Sequence, residues 1–182
     1  MLYTSFNSGQ DHFTGNDFAP IELIQYGDLH CPACAQVYPE IKLLQDVMGR
    51  ELRFVFRHFP QLHKNPLSLE AALATEAAAV QDKFWYMHDI IFENQAILSR
   101  PAFLQFAEDI GINLQRFESD REDNRLFRKV ISDFENGVKS NIGTTPVFFF
   151  NGHRYNGKPD FSHLYKTCRF LLSLEPLNVN RA

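Results

Sequence analysis

The sequence predicts an α/β fold in which a βαβ unit and a ββα unit are separated by a long helical segment. Three observations lead to this prediction. Signals for a strand, a helix and a strand follow one another between residues 21 and 57. Residues 66–140 have helical periodicity without strand signals, and an Asn-Gly turn then joins two short strands ahead of a last helix. Because the helix of a βαβ unit returns the chain across the sheet, its two strands should be parallel.

The first half of the chain supplies the βαβ unit. Residues 21–26 form a short apolar run that ends at Gly27, which is typical of a buried strand, and we expect it to be the first ordered element. Residues 52–57 alternate in polarity as a second strand would. The helix between them has an apolar face that comprises Val37, Ile41, Leu44 and Met48.

The second half contains clear start and turn signals. Ser99 precedes a proline-containing first turn, so we expect it to cap a helix. Asn151-Gly152 favours a two-residue hairpin turn, and Asp160 is placed to cap the last helix. Cys168 lies on the apolar stripe of that helix, which predicts a buried structural thiol.

These elements give a domain division. We predict that residues 15–62 and 141–176 form one α/β domain and that residues 63–140 form a helical domain inserted into it. Residues 1–14 and 177–182 are predicted to be tails.

Composition excludes several classes of protein. The chain has 182 residues, of which 45% are hydrophobic and 22% charged, as in an ordinary globular domain. Its net charge of −4 provides no basic excess for a nucleic-acid partner. No apolar run is long enough for a membrane helix, and the first residues do not resemble a secretory signal. We therefore expect a cytoplasmic protein, or a periplasmic one if the chain is a processed form.

The main chemical motif is Cys31-Pro32-Ala33-Cys34, at the predicted junction of strand and helix. A thiol in the first turn of a helix faces free backbone N–H groups and the positive end of the helix dipole, and both favour the thiolate. The thiolate is the nucleophile of disulfide exchange. We therefore expect Cys31 to be the attacking thiol and Cys34, one turn deeper, to be the resolving thiol. Pro32 suits the first helical position.

A zinc site is the alternative for this motif. Zinc needs four ligands, and the third cysteine of the chain is far away in the last helix. His30, His58 and His63 could complete a site, but their spacing is not that of paired ligands. A C-x-x-C motif beside a βαβ unit favours redox chemistry, so we expect no metal.

A second motif, Gly143-Thr144-Thr145-Pro146, precedes a predicted strand. A cis bond before Pro146 would expose the backbone of Thr145, with which an extended peptide could pair. An ordinary trans proline that opens a strand is the alternative, and composition and spacing do not decide between them.

These motifs together resemble DsbA-like thiol–disulfide oxidoreductases. Tyr26-Gly27-Asp28 before the cysteines is similar to the entry to their active site, and residues 143–148 are similar to their proline loop. The resemblance covers about residues 11–175. It implies a thioredoxin fold with an inserted helical domain, and disulfide exchange through Cys31 and Cys34 without a cofactor. It also implies a cis bond at Thr145–Pro146 that contributes to substrate binding.

The resemblance implies partners as well. These are proteins with thiols or disulfides and a separate redox partner that the sequence does not identify. Two alternatives stay open at this point. One is a glutathione-linked transferase or isomerase on the same fold, and the other is a non-catalytic metal-binding or chaperone module.

Two departures from the family pattern concern the strength of the oxidant. Ala33 stands where strongly oxidising members carry a histidine, although His30 precedes the motif. Gln25 stands where relatives often carry a buried carboxylate, and Asp28 could substitute for it. We expect a Cys31 pKa of roughly 4.5 to 6.5 and a reduction potential of roughly −160 to −250 mV.

Overall fold

The computed structural model describes residues 5–174, and within them the strands form one mixed sheet with the order β1-β3-β2-β4-β5. The strands are β1 (His12–Gly15), β2 (Ile21–Gly27), β3 (Leu52–His58), β4 (Val147–Phe150) and β5 (His153–Arg154). β2 and β3 are parallel, and the other neighbouring pairs are antiparallel. The central position of β2 brings β3 to one side of it and β4 to the other.

Helices surround this sheet. α1 (Pro32–Met48) connects β2 to β3, and α7 (Phe161–Leu174) follows β5. The helices between β3 and β4 are α2 (Leu67–Ala79), α3 (Phe84–Glu93), α4 (Arg100–Asp109), α5 (Leu114–Arg121) and α6 (Asn124–Lys139). Short 3-10 helices occupy Gly49–Glu51 and Gln95–Ile97. The predicted α/β fold, with helices between its βαβ and ββα units, is confirmed.

The core lies on both faces of the sheet. Along β2, Leu23 packs into a cluster with α1, α3 and α7, whereas Ile24 and Tyr26 pack into a second cluster on the other face. The apolar face of α1 that the sequence predicts is buried, together with Cys34. A strand that is covered on both faces needs apolar side chains on both of them, which explains why Ile21, Leu23, Ile24 and Tyr26 are apolar although Glu22 and Gln25 interrupt the run.

The expectation that the ordered fold starts at Ile21 is wrong, because β1 precedes it. β1 pairs antiparallel with β3, from His12 opposite Phe56 to Gly15 opposite Arg53. Four residues between polar turns give too short a pattern to predict a strand, and long-range pairing stabilises it.

The predicted turn and caps are present. Asn151 and Gly152 have positive φ angles of 46° and 79°, as a hairpin turn of this type requires. The Ser99 hydroxyl accepts a hydrogen bond from the Ala102 N–H, and the Asp160 carboxylate accepts one from the His163 N–H. These local signals therefore fix where the helices and the hairpin begin.

The domain division stays a prediction. β1 (His12–Gly15) begins inside the segment 1–14 that was predicted to be a tail, so residues 12–14 pair with the sheet instead. The predicted tail 177–182 lies outside the described residues. Among residues 5–174, no helix combines the length and the apolar character needed to cross a membrane.

Candidate active site

The two cysteines of the motif lie at the N-terminus of α1, just beyond the end of β2. Cys31 is the N-cap residue in extended conformation, and its carbonyl accepts hydrogen bonds from the N–H groups of Cys34 and Ala35, at 3.0 and 3.1 Å. Cys31 is half-buried, whereas Cys34 is completely buried. A reagent from solvent therefore meets the Cys31 sulfur first. Both thiols are free in this structure.

The environments of the two sulfurs differ strongly. A hydrogen bond from Cys34 lowers the pKa of the Cys31 thiol to about 5. Burial opposes this shift, and hydrogen bonds from the backbone N–H groups of Cys34 and Ala33 add to it. For Cys34, burial and the neighbouring Cys31 raise the pKa well above the ordinary range. Cys31 is therefore a thiolate at neutral pH and Cys34 a thiol, and the Cys31 value lies within the range expected from the sequence.

The proline loop lies directly against Cys31. The Thr145–Pro146 bond is cis, and the Cys31 Sγ lies 3.5 Å from the Thr145 carbonyl oxygen, to which the thiol donates in its protonated form. The antiparallel pairing of β2 and β4, with Tyr26 opposite Val147, brings the loop to this position. Residues 114 positions apart in sequence thus share one site.

Asp28 has a structural place in this site. It is buried, and its Oδ1 accepts a hydrogen bond from the His30 N–H at 2.8 Å. Its Oδ2 accepts from the Gln61 N–H at 2.9 Å and from the Ser68 hydroxyl at 2.8 Å. One carboxylate therefore joins the redox loop (residues 28–31, between β2 and α1), the loop after β3 and the start of α2.

The other predicted site residues are dispersed around the cysteines. Pro32 and Ala33 are exposed on the first turn of α1. The His30 Nε2 lies 3.2 Å from the Asn65 side-chain amide. Gln25 is buried, with 4% of its surface exposed. This uncharged side chain adds no carboxylate to the site.

The alternative of a zinc site requires a cluster of ligands around the cysteines. In the part of the chain that the structure describes, no group of three or more His, Cys, Asp or Glu side chains is placed to hold a metal ion. His58 instead contacts Glu76, with its Nε2 3.0 Å from the carboxylate oxygen Oε1.

Comparison with protein families identifies the chain. The profile of a family described as Thioredoxin matches residues 7–168, which include both cysteines and the proline loop. The chain belongs to the thioredoxin family. A curated relative of this thioredoxin-family protein is the Na(+)/H(+) antiporter NhaA 1 of Salinispora arenicola, 36% identical over 157 residues. That match covers 86% of this chain but 24% of the relative, so the chain spans about a quarter of the length of the protein it matches.

Solved structures share the DsbA-like fold with this thioredoxin-family protein. BdbD from Bacillus subtilis, in its oxidised form, has a TM-score of 0.79 at 23% identity, covering 92% of this chain and 95% of its own. α-DsbA1 from Wolbachia pipientis has a TM-score of 0.79 at 20% identity, covering 94% of each chain. The resemblance to DsbA-like proteins that the motifs predict is confirmed at the level of fold.

Sequence reasoning missed two residues that contact the redox loop in this thioredoxin-family protein. Asn65 reaches His30, and Gln95 donates from its Nε2 to the carbonyl oxygens of Leu29 and Cys31. Both residues come from segments distant in sequence, and no local pattern marks them. A pattern search would have to include the tertiary fold to find them.

A separate cavity of about 860 Å³ lies between α1, α3 and the start of β3. Its lining includes Tyr38, Lys42, Trp85 and Asp89, but neither of the two motif cysteines. The two cysteines at the N-terminus of α1 therefore lie outside this cavity.

Proposed function

We propose that this protein is a thiol–disulfide oxidoreductase that exchanges disulfides with protein substrates through Cys31 and Cys34. The observation that carries the proposal is the asymmetry of the pair. A half-buried Cys31 with a pKa of about 5 adjoins a completely buried Cys34 whose pKa is raised. Such an arrangement suits an attacking thiolate and a resolving thiol.

In the reductive direction, the Cys31 thiolate attacks one sulfur of a substrate disulfide. A mixed disulfide forms, and the other substrate sulfur leaves as a thiolate. Cys34 then loses its proton and attacks the Cys31 sulfur, which releases the second substrate thiolate and leaves a Cys31–Cys34 disulfide. Two electrons pass from the protein to the substrate. The oxidative direction is the same sequence in reverse.

Substrate binding is proposed at the proline loop. The Thr145 carbonyl lies 3.5 Å from the Cys31 sulfur, so an extended peptide that pairs with the Thr145 backbone would bring its own sulfur to the same place. Pro146 has no N–H, and it leaves this edge open beside the start of β4. The contact supports Thr145 and Pro146 as substrate-binding residues.

The direction of the reaction depends on redox poise. Stabilising the Cys31 thiolate stabilises the reduced protein and makes the disulfide more oxidising. Ala33 adds no charge, so we propose an intermediate potential and a reductase or isomerase role in a reducing compartment. The cytoplasmic location expected from the sequence stays a prediction.

Trapping of the reaction intermediate tests the proposal. With insulin as the disulfide substrate, Cys34→Ser should accumulate a mixed disulfide at Cys31, because nothing inside the protein resolves it. Cys31→Ser should form none, and Cys168→Ser, at a buried thiol outside the site, should behave as the unmodified protein. Trapping by Cys31→Ser but not by Cys34→Ser would reverse the roles, and trapping by neither would refute the activity.

A further inference from the structure

Gln95 reaches from the helical segment to the redox loop and holds two of its carbonyl groups. It opens the 3-10 helix Gln95–Ile97, between α3 and α4. Its Nε2 donates to the Leu29 carbonyl at 2.7 Å and to the Cys31 carbonyl at 3.2 Å. A side-chain amide nitrogen carries two hydrogens, so each carbonyl receives its own hydrogen bond. The two carbonyls lie on either side of His30.

The Cys31 carbonyl is also the first acceptor of α1. It accepts from the N–H groups of Cys34 and Ala35, so the bond from Gln95 is its third. A carbonyl held from three directions keeps a fixed orientation, and it thereby fixes the first turn of the helix. That turn supplies the N–H groups of Ala33 and Cys34, which stabilise the Cys31 thiolate.

We propose that Gln95 is a positioning residue for disulfide exchange, which holds the Leu29 and Cys31 carbonyls so that the first turn of α1 stays aligned on the Cys31 sulfur. The inference rests on the proposed function, because the attacking thiol matters only in that reaction. It assigns to the helical segment an indirect effect on the acidity of Cys31. Gln95 does not touch the sulfur and acts through the backbone alone.

Two variants separate donation from simple space filling. Gln95→Leu keeps the bulk of the side chain and removes both hydrogen bonds. Gln95→Glu keeps the shape, but its carboxylate has no N–H to donate and repels the two carbonyls. Gln105→Leu is the matched control, since Gln105 belongs to the same helical segment and its side chain bonds Glu108 and Asp109 of its own helix.

The first measurement is the pKa of Cys31, from the ultraviolet absorbance of the thiolate as the reduced protein is titrated. Gln95→Leu should raise this pKa by about half to one unit, and Gln95→Glu should raise it further. The equilibrium with glutathione should shift toward the disulfide form of the protein by roughly three- to tenfold, and tenfold corresponds to about 30 mV. Gln105→Leu should change neither quantity.

Unchanged titration and glutathione equilibrium in folded Gln95 variants would overturn the proposal. A measurement on the unmodified protein covers the case in which both variants unfold. In the unmodified protein, the chemical shifts of the Gln95 side-chain amide should change with pH as Cys31 titrates. Chemical shifts that stay constant through this titration would also overturn the proposal. The titrations need no protein substrate. If the Gln95 variants shift the Cys31 pKa as expected but the insulin experiment traps no mixed disulfide, the proposed function alone is refuted.

Discussion

Replacing Cys34 should change the acidity of Cys31 more than any other single substitution in the site. The hydrogen bond from Cys34 is the largest contribution that brings the Cys31 pKa from 9.0 to about 5. A hydrogen bond to a charged group contributes about 1.5 to 3 kcal/mol, and one pKa unit corresponds to about 1.4 kcal/mol. We therefore expect Cys34→Ala to raise the Cys31 pKa by roughly one to two units. Cys34→Ser keeps a hydroxyl donor and should raise it by less.

Thiolate absorbance and the rate of alkylation by iodoacetamide, both followed against pH, measure this effect. The unmodified protein should lose reactivity as the pH falls through about 5, because protonation removes the nucleophile. Cys168 does not interfere, since burial raises its pKa to about 12. Cys31→Ser provides the baseline. If Cys34→Ala titrates at the same pH as the unmodified protein, the thiol of Cys34 does not stabilise the thiolate, and the reasoning fails.

Three further substitutions test the framework of the site. Asp28→Ala leaves three donors without their acceptor, two of them buried, and should lower the free energy of unfolding by about 3 kcal/mol. Asp28→Asn should cost less, and equal losses in chemical denaturation would contradict this. Burial of Glu76 opposes its ionisation, but hydrogen bonds from His12 and His58 prevail and lower its pKa. The ionised Glu76 therefore stabilises the fold fully above its ordinary pKa of 4.5, and this contribution is lost as the pH falls through the lower pKa of the folded state. Glu76→Gln should consequently flatten the acid side of a plot of melting temperature against pH. In Gly137→Ala, the new Cβ would lie 2.5 Å from the Phe59 ring and should cost about 1 to 3 kcal/mol, whereas an unchanged melting temperature would mean that the ring moves freely.

Local patterns in the sequence predicted most elements of the fold. The apolar face of α1 follows helical spacing, and the Asn151-Gly152 turn needs only its own two residues. β1 escaped prediction because its stability comes from β3, whose residues lie far along the chain. A four-residue strand has almost no periodicity of its own.

In the candidate site, too, some residues could be predicted from local sequence and others could not. The spacing of Cys31 and Cys34 is a local signal of redox chemistry, and the proline loop was predicted only through resemblance to a family. The hydrogen bonds of Asp28 to Gln61 and Ser68, and those of Gln95 to the redox loop, depend on how distant segments pack together. A single sequence contains no local trace of such contacts.

The buried guanidinium of Arg57 limits how far the protein can be shortened. Its Nε and Nη2 donate to the two carboxylate oxygens of Asp11, at 2.7 and 2.8 Å, and Nη1 donates to the Tyr26 hydroxyl. A truncated protein that starts at residue 15 would remove Asp11 and leave a buried cation without its carboxylate, a change that typically costs several kcal/mol. The same cut would uncover the edge of β3, and bare strand edges promote aggregation. Residues 5–14 therefore belong to the folding unit and should be kept in any expressed form of the protein.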